Sequence, residues 1–421
     1  MLVHLKFNNS FVFLKEQEFS LKADMRFKKL SSNVVENNEI LKSVCIYGPN
    51  NSGKTCIIRI LTALKNIISN KPFNLSQNLF SENPHINLSA RFIEDGSLWE
   101  YAISYDNLNK EFLYERFEKI FIDQYKNEKT DVYFERNLKK NLLKCKDVSL
   151  IVDVVKTVIG KTNTFLNLID VSYFELLKYS KKILTDFANS LIILDMNNIP
   201  LDQTISILKN HTELQEDVVS FIKNADIDLD DYKYLGAEQL KISADFLQNG
   251  IRPNEDVINQ RIQQSIEDSL RLTSVYKGKE VPSLLFDSTG TKKIAALASY
   301  VINALKNGQT LIIDELDSSI HFKLTRSIVS MFNNELNNNA QLIFTAHDVS
   351  LMDCKKLFRK EQIWFVHKDR NEGAYLYSLA DFRAEDGIRD TTDLFEKYKK
   401  GVLGAIPEPD MLKTLLQVKN E

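Results

Sequence analysis

The spacing of apolar and polar residues divides the chain into three stretches. Within residues 1–120, "SVCIY" at 43–47 is a short unbroken apolar run, the pattern of a strand buried on both faces. "IIRILTALKNII" at 57–68 follows with helical spacing. "INLSARFIEDGSLWEYAISYDN" then alternates about Asp95-Gly96, which predicts a β-hairpin. Residues 121–270 change character: Lys, Asn, Leu and Ile recur at helical spacing with few glycines, and no sustained heptad suggests a coiled coil. Strand patterns return after residue 271 in "QTLIID" (309–314), "AQLIFTAH" (340–347) and "EQIWFVHK" (361–368), separated by helix-patterned segments. The prediction is an α/β protein, a mixed and largely parallel sheet with helical crossovers plus N-terminal antiparallel strands. A lobe over 1–120 and a lobe over 271–421 are interrupted by a helical insertion over 121–270.

Composition narrows the class without naming a ligand. The chain has 421 residues, 26% of them charged, and a net charge of −3, so it offers no general attraction to nucleic acid. No apolar run approaches the roughly 18 residues of a membrane span. The opening "MLVHLKFNNSF" lacks the order of a signal peptide. Four scattered cysteines (45, 56, 145 and 354) form no C-x-x-C pair and read as free thiols. A soluble, cytoplasmic protein is expected.

Three short stretches carry chemistry. "GPNNSGKT" (Gly48, Pro49, Asn50, Asn51, Ser52, Gly53, Lys54, Thr55) fits G-x-x-x-x-G-K-[ST] between a strand and a helix. Glycines let successive backbone N–H groups face phosphates, Lys54 reaches the β and γ phosphates of ATP, and the Thr55 hydroxyl binds Mg²⁺. "LIIDELD" (311–317) ends an apolar strand in two carboxylates, Asp314 for Mg²⁺ and Glu315 to orient and deprotonate the attacking water. "FTAHD" (344–348) sets His347 past another buried strand, in reach of a γ-phosphate or the lytic water. A fourth stretch, "LLFDSTGTKKIAAL" (284–297), opens a helix at Ser288-Thr289-Gly290 and makes a second anion-binding turn. "DIDLDD" (226–231) lacks the sixth-position Gly and twelfth-position Glu of a calcium loop, and reads as a solvated turn. Asp381, Glu385, Asp386 and Asp390 lie on no strand-borne acidic pair and read as surface acids.

Taken in order, the phosphate loop, "STGTKKIAALA", "IIDELDSSIH", "AQLIFTAHDVSLMD" and "GVLGAIP" resemble the ABC-type ATPase head. They resemble in particular the bacterial SMC/RecF/OLD-like ATPases of phage-defence and abortive-infection operons, the AbiL and RloA type. The likeness spans roughly residues 1–120 and 215–421. It implies that two heads pack head to tail, with Ser288 and Gly290 of one covering the γ-phosphate held by the other, and Lys292 or Lys293 adding positive charge. The signature commonly reads S-S-G-T, and Thr289 stands at its second position. His321 stands where the broader class has Asp. The glutamine that joins the two lobes has only Glu115 in "YERF" and Gln124 as counterparts.

On this likeness the expected function is an ATP-gated switch, at least a homodimer, in antiphage defence. A phage-derived trigger and an operon-encoded effector, a nuclease among the candidates, are its implied partners. A DNA-binding repair or maintenance ATPase is the alternative; net charge and the absence of coiled-coil arms count against it. A small-molecule kinase would leave the S-T-G turn and His347 without a role.

Overall fold

The computed structural model describes the chain apart from residues 36–38, 124, 126, 147–160, 169, 226–227, 236–266, 370–372, 384, 386–387, 389–391, 407–410 and 420–421. The described residues form two compact units, Met1–Leu191 with Ile343–Glu421, and Ile192–Leu342. Gln124, Asp386, Asp390 and the first two residues of "DIDLDD" lie outside the described residues.

The first unit holds a seven-stranded antiparallel sheet, in the spatial order 142–145, 128–137, 111–122, 97–106, 85–94, 2–8, 17–20. The predicted hairpin is its centre: Glu94 pairs Ser97, and Asp95 and Gly96 both take positive φ (50° and 66°), the turn whose twist matches the flanking strands. Alternate residues of Ser97–Asp106 are buried. The helix Glu175–Ser190 packs on this sheet, Phe187 stacking on Phe92 at 3.8 Å. Beside that sheet run Gln341–Thr345, Ser43–Tyr47, Ile363–Asp369 and Gly373–Ser378, in that order. Ser43–Tyr47 and Ile363–Asp369 are parallel, Ile363 opposite Cys45, while Gly373–Ser378 returns antiparallel. All five residues of Ser43–Tyr47 are buried, as its unbroken apolar run requires.

The second unit sets Thr310–Asp314, buried throughout, beside Leu191–Asp195. The 19-residue helix Thr289–Asn307 packs on two shorter helices, Asp202–Lys209 and Gln215–Lys223, where Thr204 Oγ1 donates to Ala295 O (2.9 Å). A three-stranded meander, Asp231–Tyr234, Leu272–Tyr276 and Lys279–Pro282, leads into that helix.

The α/β class, the antiparallel N-terminal strands and the mixed sheet are as the pattern predicts. The helical character of 121–270 is not. Glu128–Asn137 and Leu142–Cys145 extend the antiparallel sheet, and Leu191–Asp195 is a strand; helices account for only part of the described remainder. The reason is physical. "EKTDVYFERN" is the second strand from the sheet's edge and has few fully buried positions, so its polar faces hide the period of two. Its sheet therefore runs past residue 120, and the first lobe does not end there. Among the described residues no helix is long and apolar enough to cross a membrane.

Candidate nucleotide site

The predicted functional residues divide between the two units, and each half is built from its own neighbours. In the first, the loop after Ser43–Tyr47 turns straight into the helix Lys54–Ile68. Its two motif glycines are demanded by close approach. A Cβ on Gly48 would stand 2.5 Å from Val366 O, and one on Gly53, at φ 120°, would stand 2.5 Å from Val12 Cγ2. Asn51 also takes a left-handed φ of 62°. The Lys54 side chain lies across the loop, its ammonium donating to Gly48 O (2.6 Å) and Pro49 O (3.1 Å). No side chain caps the helix. The Ser52 hydroxyl is buried and has no hydrogen-bond partner. An uncapped helix start, an orphaned buried hydroxyl, a centred ammonium and two positions with no room for a Cβ together fit a phosphate group. Ala346 N–H donates to Ile46 O (3.2 Å), so His347 leaves its strand at the end of the sheet where Gly48 opens the loop. Its imidazole is exposed.

In the second unit, Asp314 ends its strand nearly buried, and Glu315 follows in a left-handed conformation (φ 57°). A non-glycine residue held there stores strain of about 1–3 kcal/mol, which marks functional turns. Asn197, which the sequence reading did not single out, meets both members of this turn. Its Nδ2 donates to Glu315 Oε2 (2.9 Å), and its Oδ1 accepts from Ser318 Oγ (3.2 Å). Met196 N–H donates to Asp314 O (3.1 Å), which fixes residue 197 at the strand tip. Nothing local marks Asn197 in the sequence beyond its place after the strand "LIILD".

The second predicted anion turn is an authentic helix start. Ser288 is the N-cap: its Oγ accepts from Thr291 N–H (3.1 Å) and bonds Thr291 Oγ1 (2.9 Å). Gly290 lies where a Cβ would be 3.0 Å from Ser319 O. Both residues therefore have tasks in their own chain. Lys293 is directed at the same turn, Nζ 3.1 Å from Ser319 Oγ. Beneath them Asp287, nearly buried, accepts from Ser283 Oγ (2.6 Å), Ser274 Oγ (2.7 Å) and Tyr276 OH (2.9 Å). Burial, with the bond to Asp287, pushes the Tyr276 phenol up to about 12. This carboxylate anchors the turn, and only its Asp-Ser-Thr-Gly context was visible in sequence. Directly ahead of it Leu285 and Phe286 are exposed (50% and 66%). His321, the departure from the broader class, caps the helix Phe322–Phe332, Nδ1 accepting from Lys323 N–H (3.3 Å).

Burial places one further residue named from the sequence. Glu115 does not serve the lobe-joining role: it is fully buried, opposite Arg136 in the antiparallel sheet, and paired with it at 3.2 Å. Among the described residues no group of three or more His, Cys, Asp or Glu is placed to hold a metal ion. Mg²⁺ needs no such group: it takes one or two protein oxygens and completes its shell with phosphate and water. The Thr55 hydroxyl and the Asp314 carboxylate supply the right kind of oxygen.

Comparison with known proteins places a stretch shorter than half the chain. Residues 188–353 match a family described as an AAA domain, putative AbiEii toxin, Type IV TA system. The match takes in Asn197, Ser288, Gly290, Asp314, Glu315 and His347 and leaves the phosphate loop outside. No curated protein matches. Among solved structures, the chain is similar to the SMC head domain from Thermotoga maritima, with 14% identity and a TM-score of 0.41, covering 90% of this chain and 98% of that one. It is also similar to an SMC head solved bound to the C-winged helix domain of ScpA, with 11% identity and a TM-score of 0.45, covering 92% and 99%.

Proposed function

We propose that the chain is an ATP-hydrolysing switch that works as a head-to-tail pair of copies. The observation that carries this reading is the phosphate loop, where Ser52 keeps a buried hydroxyl without a partner and the Lys54 ammonium lies across the loop on Gly48 O, at the start of an uncapped helix. Lys54 and the loop N–H groups hold the phosphates; Thr55 and Asp314 hold Mg²⁺, which offsets charge on the transferred phosphoryl group. Glu315 orients and deprotonates water, Asn197 fixes the rotamer of Glu315, and His347 donates to the γ-phosphate. Ser288 and Gly290 of the second copy close the pocket, and the exposed Leu285 and Phe286 beside them supply apolar area for that contact. The protein's contribution is positioning and electrostatic stabilisation, so turnover is slow until a second copy completes the site.

The same proposal sets the switch in antiphage defence, gating a separate effector. Its support is the AbiEii-toxin description of the family matched by residues 188–353 and the order of motifs.

A mixing experiment tests the shared site. Lys54→Ala and Ser288→Arg chains should each turn over little ATP alone. Mixed one to one they should regain a substantial part of wild-type turnover, because a mixed pair contains one intact site. A mixture no more active than its components would refute sharing. Separately, Asn197→Ala removes the side-chain hydrogen bonds to Glu315 and from Ser318; loss of the one to Glu315, about 1 kcal/mol, should lower kcat roughly fivefold with KM for ATP unchanged. An unchanged kcat would deny Asn197 a positioning role.

A further inference from the structure

A pocket lies in the first unit, lined by none of the residues assigned to the nucleotide site. It has a volume of about 260 Å³ and is lined by the loop 26–30 on one side and by residues 354–361 with Phe382 on the other. Its place in the sheet separates it from the phosphate loop. Gly48 follows the C-terminal end of Ser43–Tyr47, whereas Arg359 precedes the start of the parallel strand Ile363–Asp369. The two sites thus lie at opposite ends of the same strands, roughly 15 Å apart along them.

The lining combines charge with aromatic surface. Arg26, Lys28, Lys29, Arg359 and Lys360 stand against a single acid, Glu361. Two of the cations are matched, Arg26 with Asp24 and Arg359 with Glu361. No ion pair among the described residues holds Lys28 or Lys29. Phe27 is half exposed (51%), and Phe358 and Phe382 line the same space.

Arg359 explains how the loop is held, but not all of its own chemistry. Its side chain is 3% exposed. Nη1 donates to Phe27 O (2.8 Å) and Lys29 O (3.2 Å), and Nη2 to Asp24 O (2.7 Å) and Glu361 Oε1 (2.8 Å). These bonds staple the loop that carries Lys28 and Lys29. The remaining donor, Nε, is buried without a partner. The guanidinium is thus occupied in holding the loop, and the accessible charge is that of Lys28 and Lys29, which beside the rings of Phe27, Phe358 and Phe382 suits an anion carrying a planar group. The volume, just below the ~300 Å³ at which small-molecule pockets commonly begin, limits that ligand to one base, sugar and phosphate.

We infer that this pocket binds a nucleoside monophosphate: Lys28 and Lys29, on the loop that Arg359 holds in place, take the phosphate, and Phe27 stacks on the base. A small molecule sensed here would act on the strand that carries the phosphate loop without competing for it.

The test uses the full chain carrying Lys54→Ala, so that the phosphate loop contributes little. AMP, GMP, CMP, UMP and inorganic phosphate are titrated by calorimetry, with and without Lys28→Glu/Lys29→Glu or Phe27→Ala. At least one nucleotide should bind below about 1 mM. Reversing the two charges should weaken it about tenfold or more, Phe27→Ala should weaken it severalfold, and inorganic phosphate should bind less well. These three positions are exposed or half-buried, so folding is not at stake. No nucleotide binding below about 1 mM, equal binding by the lysine double variant, or phosphate binding as tightly as the nucleotides would each overturn the assignment.

Discussion

Replacing Glu315 by glutamine is expected to lower ATP turnover by roughly 10²–10⁴-fold, the range lost when a positioned general base is removed. The substitution keeps the side-chain length and leaves one oxygen, now an amide carbonyl, to accept from Asn197 Nδ2, so that contact survives and the strained turn at φ 57° is preserved. Nucleotide binding rests on other residues, Lys54 above all, and should be unaffected. The measurement is steady-state phosphate release beside equilibrium ATP binding. A variant that hydrolyses ATP within a few fold of wild type would remove Glu315 from the chemistry, whatever its place at the strand tip.

The second large effect is on stability. Glu115 and Arg136 lie directly opposite each other on neighbouring strands, 0% and 1% exposed. Glu115 also accepts from Tyr101 OH (2.9 Å) and Phe165 N–H (2.6 Å), and Arg136 Nη2 donates to Asn163 O (2.9 Å). Removing one member strands the other: Arg136→Met should destabilise the chain by about 3–5 kcal/mol at neutral pH. The pH dependence follows from sign. Burial already pushes the Glu115 carboxyl above its ordinary 4.5, with Arg136 pulling the other way. Without Arg136 the folded value rises further, so the folded state holds the proton more tightly than the unfolded state does. The penalty is therefore largest at neutral pH and shrinks as pH falls towards 4.5. Glu115→Leu/Arg136→Met should recover most of the loss, because two apolar groups leave no charge to strand. Urea unfolding followed by the fluorescence of Trp99, stacked on Phe117 in the same sheet, checks all three. A single variant as stable as wild type at pH 7 would show that the pair is solvated.

What the sequence disclosed, and what it hid, divides by range. The phosphate loop, the carboxylates ending Thr310–Asp314 and the cap at Ser288 are local devices, each a strand end or helix start readable within a dozen residues. The hairpin at Asp95-Gly96 was legible for the same reason. Asn197 and Glu315 are 118 residues apart, and their meeting depends on one strand lying beside another. The Asp287 anchor draws Ser274 and Tyr276 from a meander that carries no motif. Glu115 shows the converse. Its sequence context allowed a role at nucleotide, and only its burial against Arg136 assigns it to the sheet. The strand Glu128–Asn137 was hidden by its own charged faces, since only two of its residues, Phe134 and Arg136, are buried.

The proposed switch also gives the tasks of Ser288 and Gly290 a second meaning. Capping by Ser288 and the close approach of Gly290 to Ser319 make the turn rigid before any partner arrives. Lys293 ties the same helix to Ser318 and Ser319, and Ser318 bonds Asn197, which holds Glu315. Through this chain of contacts a second copy seated on the turn would be felt at the Glu315 carboxylate.

Light-scattering mass of the Glu315→Gln chain, with and without ATP and Mg²⁺, probes the shared pocket most directly. The mass should double when ATP is added, and Ser288→Arg in the same chain should abolish the doubling while ATP still binds. A mass that ATP leaves unchanged, in a chain shown to be nucleotide-loaded, would contradict it.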